Sequence, residues 1–294
     1  MAFAGVYTIG GHTLAFASAD PITWPAAFAP FASHAAPDLT VDIARAIPPV
    51  PLGPPAFASG GLWEVREAGS RREWVFYSPR VPGAPFAALS LDREQAQAAL
   101  RVHPEAFPAT RPLAGLDYPM LELLWQTSLA DAGAVSLHAA AATTATGEGV
   151  LFVAPSGGGK TTLSGLCARS GQLQVLSDER TVLTRSKDGS FWIHGTPWHG
   201  EGRHVFPGPT RLARVYFLGK AAQNRGTPVP ASEALSRLLV ATFLSYHSRS
   251  VTTTLLETLA AVVARTPMNQ LDFVPDPSVV TWLLRQHDRS SSAP

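Results

Sequence analysis

The chain has 294 residues, 46% of them hydrophobic, and 23 basic against 22 acidic side chains give a formal net charge of +1. That is enough apolar material for one large or two modest cores. A near-neutral balance without a basic stripe argues against a nucleic-acid partner. No stretch approaches the roughly 18–20 unbroken apolar residues that cross a bilayer. The N-terminal "MAFAGVYTIGGHTLAF" lacks the basic start of a signal peptide. Cys167, the single cysteine, has no partner for an internal disulfide and reads as a small buried residue. These features predict a cytoplasmic protein with no membrane partner.

Residues 6–18, "VYTIGGHTLAFAS", read as two strands around a Gly-Gly turn. "DLTVDIARAI" (38–47) alternates as a strand does. A proline-rich connection, 48–61, precedes three strands in "LWEVREA", "REWVFYS" and "PFAALSLD". The composition turns loop-like over 101–117, which places a domain boundary near 115. Residues 1–115 are thus expected to form a β-rich α+β domain suited to recruiting a substrate, and they show no catalytic constellation.

Downstream, "YPMLELLWQTSLADAG" (118–133) has helical spacing, with Gly133 as its stop. "AVSLHAAAATT" and "GVLFVAP" are expected strands, followed by a helix over 160–170. "LQVLSDERTVLTR" and "FWIHGTP" read as further strands. "ASEALSRLLVATFLSYH" and "TTTLLETLAAVVART" read as helices, "QLDFVPD" as a closing strand and "SVVTWLLRQ" as a last short helix. The second domain spans 116–285, and 286–294 is expected to be a disordered tail.

The chemistry concentrates in "APSGGGKT" (154–161), which fits a nucleotide phosphate-binding loop with Ala154 where glycine is commoner. A strand leads in and a helix leads out. Gly157, Gly158 and Gly159 let backbone N–H groups turn inward, and with Ser156 and the helix start they make a cradle for an anion. Lys160 reaches the β- and γ-phosphates, the Thr161 hydroxyl suits Mg²⁺, and Thr162 supports either. Asp178 and Glu179 end an apolar run shortly after the loop, so their strand can neighbour the loop strand. One carboxylate could hold Mg²⁺ and the other accept a proton from an attacking hydroxyl. The alternative is an exposed acidic pair beside Arg180.

His138 precedes the loop strand and has two readings, a satisfied core histidine or a group near the γ-phosphate. "IHGTPWHGEGRH" (193–204) carries His194, His199, His204 and Glu201. The histidine spacing is not a standard zinc pattern. An active-site loop with Glu201 near Mg²⁺ is the better reading. Arg203, Arg211 and Arg214 are candidates to offset phosphoryl charge.

Residues 137–180 together with "GTPWHGEG" (195–202) resemble the HPr serine kinase/phosphorylase family, in its divergent HPr-kinase-related branch. The loop is also similar to that of the ATP-dependent phosphoenolpyruvate carboxykinases. The resemblance spans 116–284 and is faint before it. It implies an α/β (α+β) fold: a P-loop kinase core of HPr kinase/carboxykinase type with a smaller β-rich N-terminal domain. It places His138 in the active site, makes Asp178 the base toward a serine hydroxyl, and gives Mg²⁺ to the second acid, here Glu179 where the family has Asp. The expected function is Mg²⁺- and ATP- (or GTP-) dependent transfer of a phosphoryl group to a protein, peptide or small-molecule hydroxyl. A nucleotide-sensing module without transfer and a small-molecule kinase are the alternatives. Self-association stays open.

Overall fold

The computed structural model describes residues 3–50, 53–243 and 249–291, and the chain in it is mixed α/β with two multi-stranded sheets. It divides into two compact units, the first running to Ser128 and the second from Leu129 onward, with Arg249 in the first. The division therefore lies beyond the loop-like stretch that marks the expected boundary. Backbone hydrogen bonds tie Leu113 to Pro21 and Thr23, and Trp125 packs on Phe16 and Phe28. These contacts keep 103–128 with the first unit.

Among the described residues, the first unit holds an eight-stranded sheet. Its strands are β1 (Phe3–Ile9), β2 (His12–Ser18), β3 (Leu39–Arg45), β4 (Phe57–Ala58), β5 (Trp63–Ala68), β6 (Arg71–Phe76), β7 (Ala87–Asp92) and β8 (Gln97–Val102). Their spatial order is β1-β2-β3-β8-β7-β6-β5-β4. The expected first hairpin is present. Gly10 and Gly11 at φ 61° and 78° supply the positive φ that a two-residue turn needs. The loop-like reading from 101 is corrected: Arg101 and Val102 belong to β8, which pairs with β3 and β7. Val41, Ile43, Leu89 and Leu100 are fully buried, while Thr40, Asp42, Ser90 and Arg101 occupy the opposite, polar face.

The second unit begins within helix α1 (Glu122–Asp131). Its strands are β9 (Val135–Leu137), β10 (Ala139–Thr144), β11 (Glu148–Val153), β12 (Leu173–Ser177), β13 (Thr181–Arg185), β14 (Phe191–Gly195), β15 (Thr210–Lys220), β16 (Arg225–Pro228) and β17 (Met268–Phe273). Its remaining helices are α2 (Lys160–Ser170), α3 (Ala231–Val240), α4 (Arg249–Arg265) and α5 (Ser278–Ser291). The sheet runs β12-β10-β11-β15-β14-β13-β9, with β17 added on β15 and β16 on β17.

Alternation explains its layers. Leu151, Val153, Val215 and Phe217 enter a core shared with α3 and α4, while Val150, Phe152, Tyr216 and Leu218 enter one shared with α2 and α5. Strands buried on both faces read as nearly continuous apolar runs.

Four expectations change. "AVSLHAAAATT" is not one strand but two, broken at His138, whose N–H donates to the Ala241 carbonyl at 2.7 Å. "LQVLSDERTVLTR" also breaks, at Asp178–Arg180, because β12 pairs with β10 and β13 with β14 and β9. The strand before Asp178 does not neighbour β11: β10 lies between them. The eleven-residue β15, read only for its arginines, is the parallel neighbour of both β11 and β17.

The helix read as 231–247 ends at Val240, and residues 244–247 fall outside the described ones. The last helix continues to Ser291, past the point where a tail was expected, and 292–294 fall outside the described residues.

Candidate functional site

β11 and β12 run in the same direction with antiparallel β10 between them. Their carboxyl ends and the amino end of β10 therefore share one sheet edge. The glycine loop, Asp178–Glu179 and His138 all emerge there.

The loop's shape requires its glycines. Gly157 and Gly159 sit at φ 73° and 101°, in the left-handed region. Gly158 is needed for space, since a Cβ there would lie 2.6 Å from the Ala154 Cβ and 3.0 Å from the Pro155 carbonyl oxygen. Helix α2 starts at Lys160 with no side-chain cap and no acidic residue in its first turn. Its leading N–H groups and positive dipole end thus face the loop cavity. Gly171, at φ 66°, closes the helix as the sequence predicts.

The buried Lys160 ammonium donates to the Ala154 carbonyl at 2.8 Å and lies 2.9 Å from Nε2 of His138. Nδ1 of His138 is 3.4 Å from a Glu179 carboxylate oxygen. Burial first, and then the Lys160 charge, holds the His138 pKa below the usual histidine value, against the opposing pull of Glu179. Neutral His138 can then accept from Lys160. Burial likewise lowers the Lys160 pKa, and Glu179 opposes that shift.

Asp178 is placed differently. It is 0% exposed, and its two oxygens accept the N–H groups of Gly200 at 3.0 Å and Gly202 at 2.7 Å. A Cβ on Gly202 would stand 2.7 Å from Oδ2, so the Gly-Glu-Gly spacing lets the loop backbone lie directly on this carboxylate.

A cleft of about 510 Å³ opens over the loop. Of the residues singled out in the sequence, His138, Ser156, Gly157, Gly158, Gly159, Lys160, Thr161, Thr162, Glu179, His199 and Glu201 line it together. Asp178 does not line it. Lys220 does. Lys220 escaped the sequence reading because β15 did. Read as a strand, "TRLARVYFLGK" would have put a lysine at the carboxyl end beside the loop.

The three histidines of 193–204 are not grouped with one another. His194 is buried against the Thr184 hydroxyl at 2.9 Å, and burial lowers its pKa to about 4. Among the described residues no three His, Cys, Asp or Glu side chains are grouped to hold an ion. Arg214 hydrogen-bonds Asn269, and Arg211 is exposed at the opposite end of β15 from Lys220. Arg203 adopts φ 54° directly after Gly202. None of these arginines lines the cleft. Cys167 is buried in α2, its thiol pushed up to about 12 by burial.

No family model matches the chain, and no curated protein matches it. Among solved structures, the Hpr(Ser) kinase/phosphatase from Coxiella burnetii is similar at 14% identity with a TM-score of 0.30, covering 54% of this chain and 99% of its own. A likeness of that degree settles neither family nor activity. Among the described residues no helix is long and apolar enough to cross a membrane.

Proposed function

We propose that the second unit binds a nucleoside triphosphate, ATP or GTP, and transfers its γ-phosphoryl group to a hydroxyl acceptor, with a serine of a protein or peptide as the leading candidate. The observation that carries this reading is the convergence in one cleft of the α2 N-terminus, Lys160, His138 and a carboxylate, Glu179. The amides and Lys160 match the negative charge of a triphosphate.

The cleft's oxygen donors fit a divalent cation. Mg²⁺ takes one or two protein carboxylates or hydroxyls and otherwise uses phosphate oxygens and water. The Thr161 hydroxyl and Glu201 would hold it, with Glu179 adjacent. When bound, Mg²⁺ offsets phosphate charge.

In transfer, the acceptor oxygen bonds to the γ-phosphorus while the bond from that phosphorus to the β–γ bridging oxygen breaks. The nucleoside diphosphate leaves with the electron pair, and the hydroxyl proton goes to a carboxylate. Asp178, the base expected from the sequence, is closed off by two amides, so in this reading Glu179 takes the proton and Asp178 anchors the 200–202 loop. The test is γ-labelled ATP with Mg²⁺ and host extract split into macromolecular and small-molecule fractions, beside a Lys160→Ala control. Lys160-dependent label on a protein or peptide supports the reading. Label in the small-molecule fraction makes the chain a metabolite kinase.

The closed position of Asp178 also favours a second reading, a nucleotide-sensing module without transfer. It predicts tight nucleotide binding with label reaching neither fraction.

A further inference from the structure

A second cavity, of about 350 Å³, lies against the phosphate cleft and shares His138 with it. Its walls are Val153, Pro155, Phe217, Leu218 and Val240, with Ser236 and Arg237 from α3 at its side. The two cavities differ in chemistry. The first is lined by glycine amides, threonines and charged groups, the second by aliphatic and aromatic carbon. Arg237 stands 5.0 Å from the centre of the Phe217 ring, and its guanidinium is hydrogen-bonded to Gln270 and paired with Glu233, so its charge is already engaged by the protein. Val240 is 88% exposed, an aliphatic side chain left in solvent where α3 ends.

Position assigns the cavity. His138 is the wall between the two spaces, and it sits within 2.9 Å of Lys160, the group that meets the outer phosphates in the proposed reading. In the proposed reading the acceptor hydroxyl attacks the γ-phosphorus from the side away from the departing diphosphate, and the cavity beside His138 is the apolar space adjoining the cleft. The atoms next to that hydroxyl then meet Pro155 and Val240, with the buried Val153 and Phe217 behind them. Groups found there would leave water for apolar surface.

We infer that this cavity is the acceptor subsite and that it selects a hydroxyl flanked by a bulky apolar group, of leucine or phenylalanine side-chain size. The inference rests on the phosphotransferase reading and names its substrate class. The bond changes are those given above, with the acceptor's apolar flank taking no part in them.

The probes are N-acetyl-X-serine amides with X as Gly, Asp, Leu or Phe, assayed with Mg²⁺ and γ-labelled ATP. Leu and Phe probes should exceed the Gly probe in kcat/KM by about tenfold or more, and the Asp probe should fall below it. Ser236→Trp and Val240→Asp alter exposed positions at the cavity, so both should fold, which their melting temperatures check. Each should collapse the preference to the level of the Gly probe. Equal transfer across the panel, transfer to none of it, or an unchanged preference in both variants overturns the subsite. Failure of the unaltered chain to bind nucleotide overturns the phosphotransferase reading itself, so the two failures are told apart by a nucleotide titration run alongside.

Discussion

The Lys160 ammonium stands 2.9 Å from His138 Nε2 and 2.8 Å from the Ala154 carbonyl oxygen, held by neutral acceptors and, among the described residues, by no carboxylate in direct contact. No ion pair occupies the ammonium, although Glu179 lies within electrostatic reach, so it is available to an anion at the α2 N-terminus. Lys160→Ala should weaken nucleotide binding about 10- to 100-fold, the scale of one charge-assisted hydrogen bond. Lys160→Arg should not restore it, because a planar fork cannot reuse the two acceptors that position an ammonium. Titration with a fluorescent nucleotide reads both.

Asp178 and Glu179 are adjacent in sequence and differ in duty. Asp178→Asn replaces an acceptor of two N–H groups by one that can serve only one of them. It should lower unfolding free energy by about 1–3 kcal/mol in urea. Glu179→Gln sits at the cleft and should leave stability within about 0.5 kcal/mol while reducing transfer about 10²- to 10⁴-fold. Comparing kcat with KM separates the roles: Glu179→Gln acts on kcat, while loosening the 200–202 loop acts on both. Normal transfer by Glu179→Gln, together with a stable but inactive Asp178→Asn, would return the base role to Asp178.

Two loop glycines should respond unequally to alanine. At Gly157 the added methyl meets nothing within 4 Å, and only its φ of 73° is strained, a cost of about 1 kcal/mol. At Gly159, φ is 101° and the methyl would come 2.9 Å from Cζ of the buried Phe273. Gly159→Ala should cost about 2–3 kcal/mol and displace the start of α2. Thermal melts of the two variants give the order.

His194 makes stability depend on pH. Its folded pKa of about 4 lies below the unfolded value of 6.5. Above pH 6.5 both states are neutral and nothing is lost. As pH falls from 6.5 toward 4, the unfolded state takes a proton that the folded state refuses, so stability drops, by roughly 3 kcal/mol in the limit. His194→Gln should flatten that part of the profile. Urea midpoints at pH 7 and pH 4.5 for both proteins, taken as a difference, isolate this group from the carboxylates.

What the sequence determined by itself was local. A run such as "GVLFVAPSGGGKTTLSG" specifies strand, left-handed turns and helix through residue-level conformational limits, and β11, the loop and α2 lie where that run puts them. Spacing and side-chain type were also enough to single out eleven residues that share one cleft.

Tertiary structure decided the rest, because strand order and side-chain direction depend on partners distant in sequence. β10 inserted itself between β11 and β12, and pairing with different neighbours broke two apparent strands at His138 and at Asp178–Arg180. Those breaks carry the chemistry: one turns His138 toward Lys160, and the other buries Asp178 under Gly200 and Gly202 while leaving Glu179 in the cleft. No local pattern distinguishes two adjacent acids. The difference arises from glycine amides more than twenty residues away, brought onto one carboxylate by the return of the chain from β14.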